Sequence, residues 1–157
     1  MTFNISNMLK PEVYDHPAKN IELIETHISW VILTGDYAYK IKKPVNFGFL
    51  NFSTLEKRHT YCKQELKLNR RLAATIYLEV VSITGTQNRP VISGSGDVLE
   101  YAVKMVQFPQ SAQLDNMLAD GKLNAEHMDA IADMVARFHQ SSDIADDSMD
   151  YGDKAML

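Results

Sequence analysis

The 157-residue sequence contains a single cysteine, Cys62. One cysteine excludes an internal disulfide and any cysteine-cluster metal site, and it is typical of a reducing compartment. No apolar run approaches the ~20 residues that a bilayer-spanning helix needs. The amino terminus also lacks the basic start and apolar core of a signal peptide. We therefore expect a soluble, cytoplasmic protein with no membrane partner.

A basic excess is also missing. Sixteen lysines and arginines face twenty aspartates and glutamates, which gives a net charge of −4. Proteins that bind nucleic acid usually carry the opposite balance, so we expect no nucleic-acid partner. The chain is 45% hydrophobic, which is sufficient for a packed core in one domain, or in one domain and the beginning of another.

The strongest strand signal is the β-branched and aromatic run at 28–34, and a weaker one precedes it at 21–25. Gly35 and Asp36 then predict a tight hairpin turn. The return strand, at 37–43, alternates and ends in lysines. Pro44 stops it, because proline cannot donate to a sheet ladder. A loop with exposed aromatic side chains follows at 46–51.

An amphipathic helix follows this loop. Ser53 and Glu56 form a capping-box pattern at its start. Apolar side chains recur on one face through Leu72, and Cys62 lies within that face, so we expect a buried, inert thiol. Glu65 lies at the edge of the same stripe and therefore points toward whatever the stripe packs against.

The remaining segments predict strands and then helices. The first 19 residues indicate an irregular arm or a short helix. Later elements are strands at 76–83, 90–93 and 99–108, turns at 85–89 and 94–97, a helix at 111–119, and a helix from Asn124 to Gln140 with the apolar stripe Met128, Ile131, Val135 and Phe138. The fold class is α+β: an antiparallel sheet with one inserted helix at 1–108, then helices at 109–157.

Several of these segments carry a family resemblance. They are ETHISWV at 25–31, LTGDYAYK at 33–40, FGFLNFSTLEKR at 47–58, ELKLNRRL at 65–72, EYAVKM at 100–105 and ARFH at 136–139. Together they resemble the aminoglycoside-phosphotransferase-like group of the protein-kinase-like fold, most closely the bacterial bifunctional proteins that join such a domain to a P-loop ATPase domain. The chain is similar to the amino-terminal lobe and the first helices of the second lobe.

The resemblance implies roles for four residues. Lys40 would contact the α- and β-phosphates of ATP, and Glu65 would pair with Lys40. Ala38 would pack over the adenine ring. Met105 would open the hinge at 105–108, whose backbone meets adenine. The function implied is the nucleotide-binding half of a small-molecule phosphotransferase that transfers a phosphoryl group from ATP to a hydroxyl.

The catalytic parts of that family are missing from this sequence. None of the five histidines is followed by Gly-Asp, so no catalytic base and no metal ligands are assigned. Asp150, Tyr151 and Gly152 mimic a metal-binding Asp-Phe-Gly, but no catalytic loop precedes them. We expect this truncated chain to be inactive alone and to bind magnesium only through the missing lobe. Expected partners are a nucleotide, a second copy of the chain, or a complementing catalytic lobe.

Other interpretations stay open. Lys40 is an ordinary solvated strand-end lysine in one of them, and Lys42, on the same strand face, is the alternative phosphate contact. Glu65 could pair with a surface neighbour such as Lys67. His139 is interpreted as a packing and helix-end histidine rather than a catalytic one. The chain could also be a non-catalytic nucleotide- or partner-binding module, or an unrelated α+β interaction domain with Lys40 and Glu65 on opposite faces.

Overall fold

The computed structural model describes residues 3–144. These residues form two compact units, which divide between Ala112 and Gln113. The sequence places the boundary four residues earlier, at Pro109, but a short 3-10 helix at Gln110–Ala112 belongs to the first unit. The motif formed by Asp150, Tyr151 and Gly152 lies outside the described residues.

The first unit is an α+β structure built on one six-stranded antiparallel sheet. Its strands are β1 Glu22–Glu25, β2 Ser29–Leu33, β3 Tyr37–Lys42, β4 Tyr77–Thr86, β5 Arg89–Ile92 and β6 Val98–Val106. The order across the sheet is β1-β2-β3-β6-β4-β5. The last long strand therefore inserts between β3 and β4, which the local pattern does not predict. The first two hairpins and the inserted helix are where the sequence predicts them.

Helix α1, Leu55–Ala73, packs on β4 and β6. The predicted cap is wrong by one residue. Thr54 is the N-cap, and its hydroxyl accepts a hydrogen bond from the backbone N–H of Lys57 at 3.2 Å. The hydroxyl of Ser53 instead donates to the side-chain oxygen of Asn51 at 2.6 Å. Ser53 and Thr54 can both cap a helix, but the hydroxyl of Ser53 is bonded to Asn51, so Thr54 forms the cap.

The opposite face of the sheet is covered by the amino-terminal arm. Two 3-10 helices, Ile5–Met8 and Pro11–Val13, lie here. Met8, Val13 and Tyr14 are buried in the main core with sheet residues such as Ile32 and Ile41. The arm is therefore part of the core, although its polar sequence gives little sign of this.

The predicted turn at 85–89 is too wide. β4 continues through Gly85 and Thr86, and β5 begins at Arg89, so only residues 87 and 88 connect the two strands. Gly85 has a φ of +96°, and a Cβ there would lie 2.5 Å from the carbonyl oxygen of Arg89. Gly85 therefore lies within the β4–β5 strand pair and not in the turn. Its missing side chain permits the close approach of the Arg89 carbonyl.

The second unit contains α2, Leu114–Ala119, and α3, Ala125–Gln140. The sequence predicts one helix from 111, whereas the structure has a 3-10 turn and then the shorter α2. The Asn124 cap is confirmed: its side chain accepts a bond from the backbone N–H of His127, and the His127 ring accepts one from the backbone N–H of Asn124. None of the helices within residues 3–144 combines the length and apolarity needed to cross a bilayer.

Candidate functional site

Strand β3 presents alternate side chains to the face on which α1 packs. Ala38, Lys40 and Lys42 share this face because side chains alternate along a strand. Ala38 is the register partner of Met105 in β6, which places Met105 on the same face. β3 is held on both sides, so Ala38 and Lys40 are fixed by the ladders with β2 and β6, and Lys42 by the ladder with β2. The structure therefore gathers the four predicted site residues at one face, with Glu65 reaching it from α1.

Glu65 pairs with two lysines at once. Its Oε1 atom accepts a hydrogen bond from Lys40 Nζ at 2.8 Å, and its Oε2 atom accepts one from Lys42 Nζ at 2.6 Å. The carboxylate side chain is only 12% exposed. The opposite-face arrangement expected of an unrelated domain is thus not the one present. Lys40 and Lys42, which the sequence presents as alternative phosphate contacts, both donate to the same carboxylate.

The surroundings of the two lysines differ. The Lys42 side chain is 6% exposed, and its Nζ atom also lies 4.9 Å from the centre of the Phe52 ring. The Lys40 side chain is 31% exposed. An ammonium over an aromatic face gains a further favourable interaction. Lys42 is therefore enclosed, whereas Lys40 remains accessible from solvent.

The cluster carries more positive than negative charge. Within residues 3–144, Glu65 is the carboxylate that forms an ion pair with either lysine, so the three side chains sum to +1 when all are ionised. Burial acts to raise the pKa of Glu65, but the hydrogen bonds from Lys40 and Lys42 outweigh it and hold that pKa below its ordinary value. Glu65 is therefore ionised at neutral pH, and the excess charge sits on the lysines.

A second ion pair joins α1 to the sheet. Arg58 Nε donates to both carboxylate oxygens of Glu100, at 2.8 and 3.0 Å, and Nη2 lies 2.8 Å from Oε2. Arg58 Nη1 also donates to the carbonyl of Phe52, and the backbone N–H of Tyr101 donates to Glu100. Both charged side chains are buried. Each guanidinium nitrogen and each carboxylate oxygen of this pair thereby has a partner within the protein.

Sequence reasoning missed this pair, although a signal was present. Arg58 lies three residues after Leu55 and four before Cys62, which places it on the apolar face of α1. Glu100 likewise interrupts a mostly apolar strand, in which Lys104 is the other charged residue. A cation and an anion at two such positions are strong candidates for a buried pair, because neither is tolerated alone in a core.

The expectation for Cys62 is confirmed: it is buried, and burial raises the pKa of its thiol to about 12.

The end of β6 and the residue after it are tied to Ile76 and to the β2–β3 hairpin. The side-chain oxygen of Gln107 accepts hydrogen bonds from the backbone N–H groups of Thr34 and Gly35, each at 3.0 Å. The backbone N–H of Gln107 donates to the carbonyl of Asp36, and that of Val106 donates to Ile76. Two donors of the predicted hinge at 105–108 are therefore engaged inside the protein. An adenine ring at this segment would have to use other backbone groups.

The second unit exposes much of its apolar surface. Met128 and Val135, from the predicted stripe of α3, are exposed, as are Leu114 and Leu118 of α2. His139 is exposed near the end of α3, where its ring lies 6.1 Å from that of Phe138. Within the described residues, no three His, Cys, Asp or Glu side chains are grouped as metal ligands.

Comparison with known proteins gives three similar relatives. Uncharacterized proteins of Mycobacterium bovis and of two Mycobacterium tuberculosis strains are each 38% identical to the chain over 128 residues. The match covers 80% of this chain and 24% of each relative, so the chain spans about a quarter of the length of the curated relatives it matches. No protein-family model and no solved structure matches the chain.

Proposed function

We propose that the first unit is a protein-kinase-like nucleotide-binding lobe that holds ATP for a small-molecule phosphotransferase. The observation that carries the proposal is the cluster of Lys40, Lys42 and Glu65. It combines restricted solvent access with an excess of one positive charge, and a phosphate group is the complementary ligand. The exposed ammonium of Lys40 is the group that would contact it.

The rest of the face suits the remainder of a nucleotide. Ala38 and Met105 lie on the same side of the sheet as Lys40 and offer a small and a flexible apolar side chain. A flat base is commonly bound between apolar groups in this way. Because the Val106 and Gln107 backbone donors are already engaged, we expect apolar packing to contribute more to base binding than hydrogen bonds do.

Catalysis would need groups that this chain does not provide. Phosphoryl transfer depends on bound metal ions and on a residue that orients or deprotonates the hydroxyl acceptor. The relatives are about four times as long as the matched segment, and their additional length is the natural place for these groups. The exposed apolar side chains of α2 and α3 would then be covered by that further part, or by self-association of the chain.

The test is thermal unfolding with and without Mg·ATP. A ligand at about 100 times its Kd stabilises by about 2.7 kcal/mol, which shifts the midpoint of a chain of this length by roughly 5–10 °C. Lys40→Ala should abolish the shift. Lys67→Ala, which removes an exposed lysine from the same region, should preserve it.

A wild-type midpoint that does not move at saturating Mg·ATP would overturn the proposal. The same result with a cooperative transition would favour the other candidate, a non-catalytic partner-binding module. The observation that favours this candidate is the pair of exposed rings at Phe47 and Phe49, which stack with their centres 6.3 Å apart in the loop before α1.

A further inference from the structure

Glu65 has two lysine partners. A single lysine would have to pair with this carboxylate and contact a phosphate at the same time, whereas two lysines can each take one of these roles. If Glu65 had only one cationic partner, a phosphate that captured this cation would leave the largely buried carboxylate unpaired. An uncompensated buried charge is strongly unfavourable. With Lys40 on Oε1 and Lys42 on Oε2, Glu65 keeps a partner when either lysine leaves.

The structure indicates which lysine can leave. Lys42 is enclosed by Glu65 and the Phe52 ring. Moving its ammonium away from them would leave this buried positive charge with fewer favourable contacts. Lys40 is about a third exposed and can turn toward a ligand at the open side of the cluster without that penalty. After such a movement, Lys42 and Glu65 remain as a neutral, hydrogen-bonded pair.

We propose that Lys42 is a positioning residue, which anchors Glu65 so that Lys40 can exchange between this carboxylate and a phosphate of the nucleotide. The inference rests on the proposed nucleotide-binding function. In a simple lysine–glutamate pair, the carboxylate loses its cation when the lysine moves away. Here Glu65 binds Lys40 when no phosphate is present, and Lys42 keeps Glu65 paired when Lys40 moves to the phosphate.

Two other roles for Lys42 predict different behaviour. If Lys42 only supplied positive charge to the site, its removal would weaken ATP binding to the same extent whether or not Glu65 is ionisable. If Lys42 contacted phosphate directly, the same independence would hold. An anchor acts through Glu65, so its effect should disappear when the carboxylate is replaced by an amide.

The experiment is a double-mutant cycle on Mg·ATP affinity, measured by calorimetry on the 157-residue chain. The variants are Lys42→Met, Glu65→Gln and the two combined. We expect Lys42→Met to weaken binding about tenfold, or about 1.4 kcal/mol. In the Glu65→Gln background the same change should alter the affinity by less than about threefold. Lys42→Arg keeps the charge and should recover most of the wild-type affinity.

Equal losses in the two backgrounds would overturn the anchor role while leaving nucleotide binding in place. An absence of Mg·ATP binding by the wild-type chain would overturn the proposed function, and the inference with it. The two failures are therefore distinguishable.

A second measurement requires no nucleotide, and it does not depend on whether the Lys42→Met variant folds. The pKa of Glu65 can be followed by carbon-13 NMR in Lys40→Met, which removes only the more exposed partner. We expect that pKa to stay below its ordinary value, because Lys42 remains in place. A pKa at or above the ordinary value would show that Lys40, not Lys42, holds the carboxylate ionised, and would overturn the inference.

Discussion

Helix α1 makes two ion pairs with the sheet, and they differ in stoichiometry. Arg58 and Glu65 are seven residues apart, two helical turns along one face. Arg58 meets one carboxylate, that of Glu100, and the pair is fully enclosed. Glu65 meets two lysines, of which one is open to solvent. The charges of the first arrangement balance, whereas the second retains an excess of one positive charge.

The ionisation of the two glutamates reflects the same difference. Burial raises the pKa of Glu100 more than the hydrogen bonds and charge of Arg58 lower it. At Glu65 burial also acts to raise the pKa, yet two lysines together reverse the direction. With one cationic partner, the surroundings of Glu100 disfavour its charged form, whereas the two lysines make the surroundings of Glu65 favour the charged form.

The largest expected effect comes from opening the closed pair. Arg58→Met leaves the Glu100 carboxylate buried without its cation, and we expect the free energy of unfolding to fall by about 3–5 kcal/mol. Urea denaturation measures this change. The double variant Arg58→Met/Glu100→Met removes both charges and should recover a large part of the loss. A single variant that costs less than about 1 kcal/mol would show that the pair is not closed in solution.

The next effect is expected at the open cluster. Glu65→Gln removes the charge from two hydrogen bonds and leaves two lysines side by side, so we expect a loss of about 3 kcal/mol in urea denaturation. Glu56→Gln, an exposed change in the first turn of the same helix, should cost no more than about 1 kcal/mol. Comparable losses in these two variants would contradict the largely buried position of Glu65.

A smaller effect separates the two lysines. We expect Lys42→Met to lower the free energy of unfolding by about 1.5–2 kcal/mol, because a charge-assisted hydrogen bond is lost in a buried place. Lys40→Met should cost below about 1 kcal/mol, as for other solvent-accessible ion pairs. The reverse order, observed by urea denaturation, would mean that the assignment of the enclosed and the open lysine is wrong.

The smallest expected effect is a pH dependence of stability. The folded-state pKa of Glu65 is lower than its unfolded value, so the stabilisation is fully present above an ordinary glutamate pKa of about 4.3. It is lost as the pH falls through the lower, folded-state value. The acid limb of stability in wild type should therefore be steeper than in Glu65→Gln, as measured by urea denaturation between about pH 3 and 6.

Much of the local structure could be predicted from short-range patterns. The β2–β3 hairpin follows from two strand-forming runs around Gly35, which adopts a positive φ of 101°. The start and end of α3 follow from Asn124 and from the apolar period. Errors occurred where two neighbouring residues could play the same part, as Ser53 and Thr54 could at the start of α1.

Long-range contacts were harder to predict because many partners satisfy the same local rule. The insertion of β6 between β3 and β4, and the burial of Met8 and Tyr14 beneath the sheet, both depend on segments far apart in the chain. Arg58 and Glu100 are 42 residues apart. The apolar surroundings of each charge indicate burial, but only the tertiary structure shows that the two residues pair with each other.

For the candidate site, the sequence by itself determined that Ala38, Lys40 and Lys42 share one strand face and that Glu65 points toward the packed side of its helix. Both results follow from the periods of two and 3.6 residues. Only the tertiary structure decided that Glu65 lies between the two lysines, and that Lys42 is enclosed while Lys40 stays open. Burial of a side chain depends on how α1, β3 and the Phe52 segment pack together, and that information is not contained in any one of them.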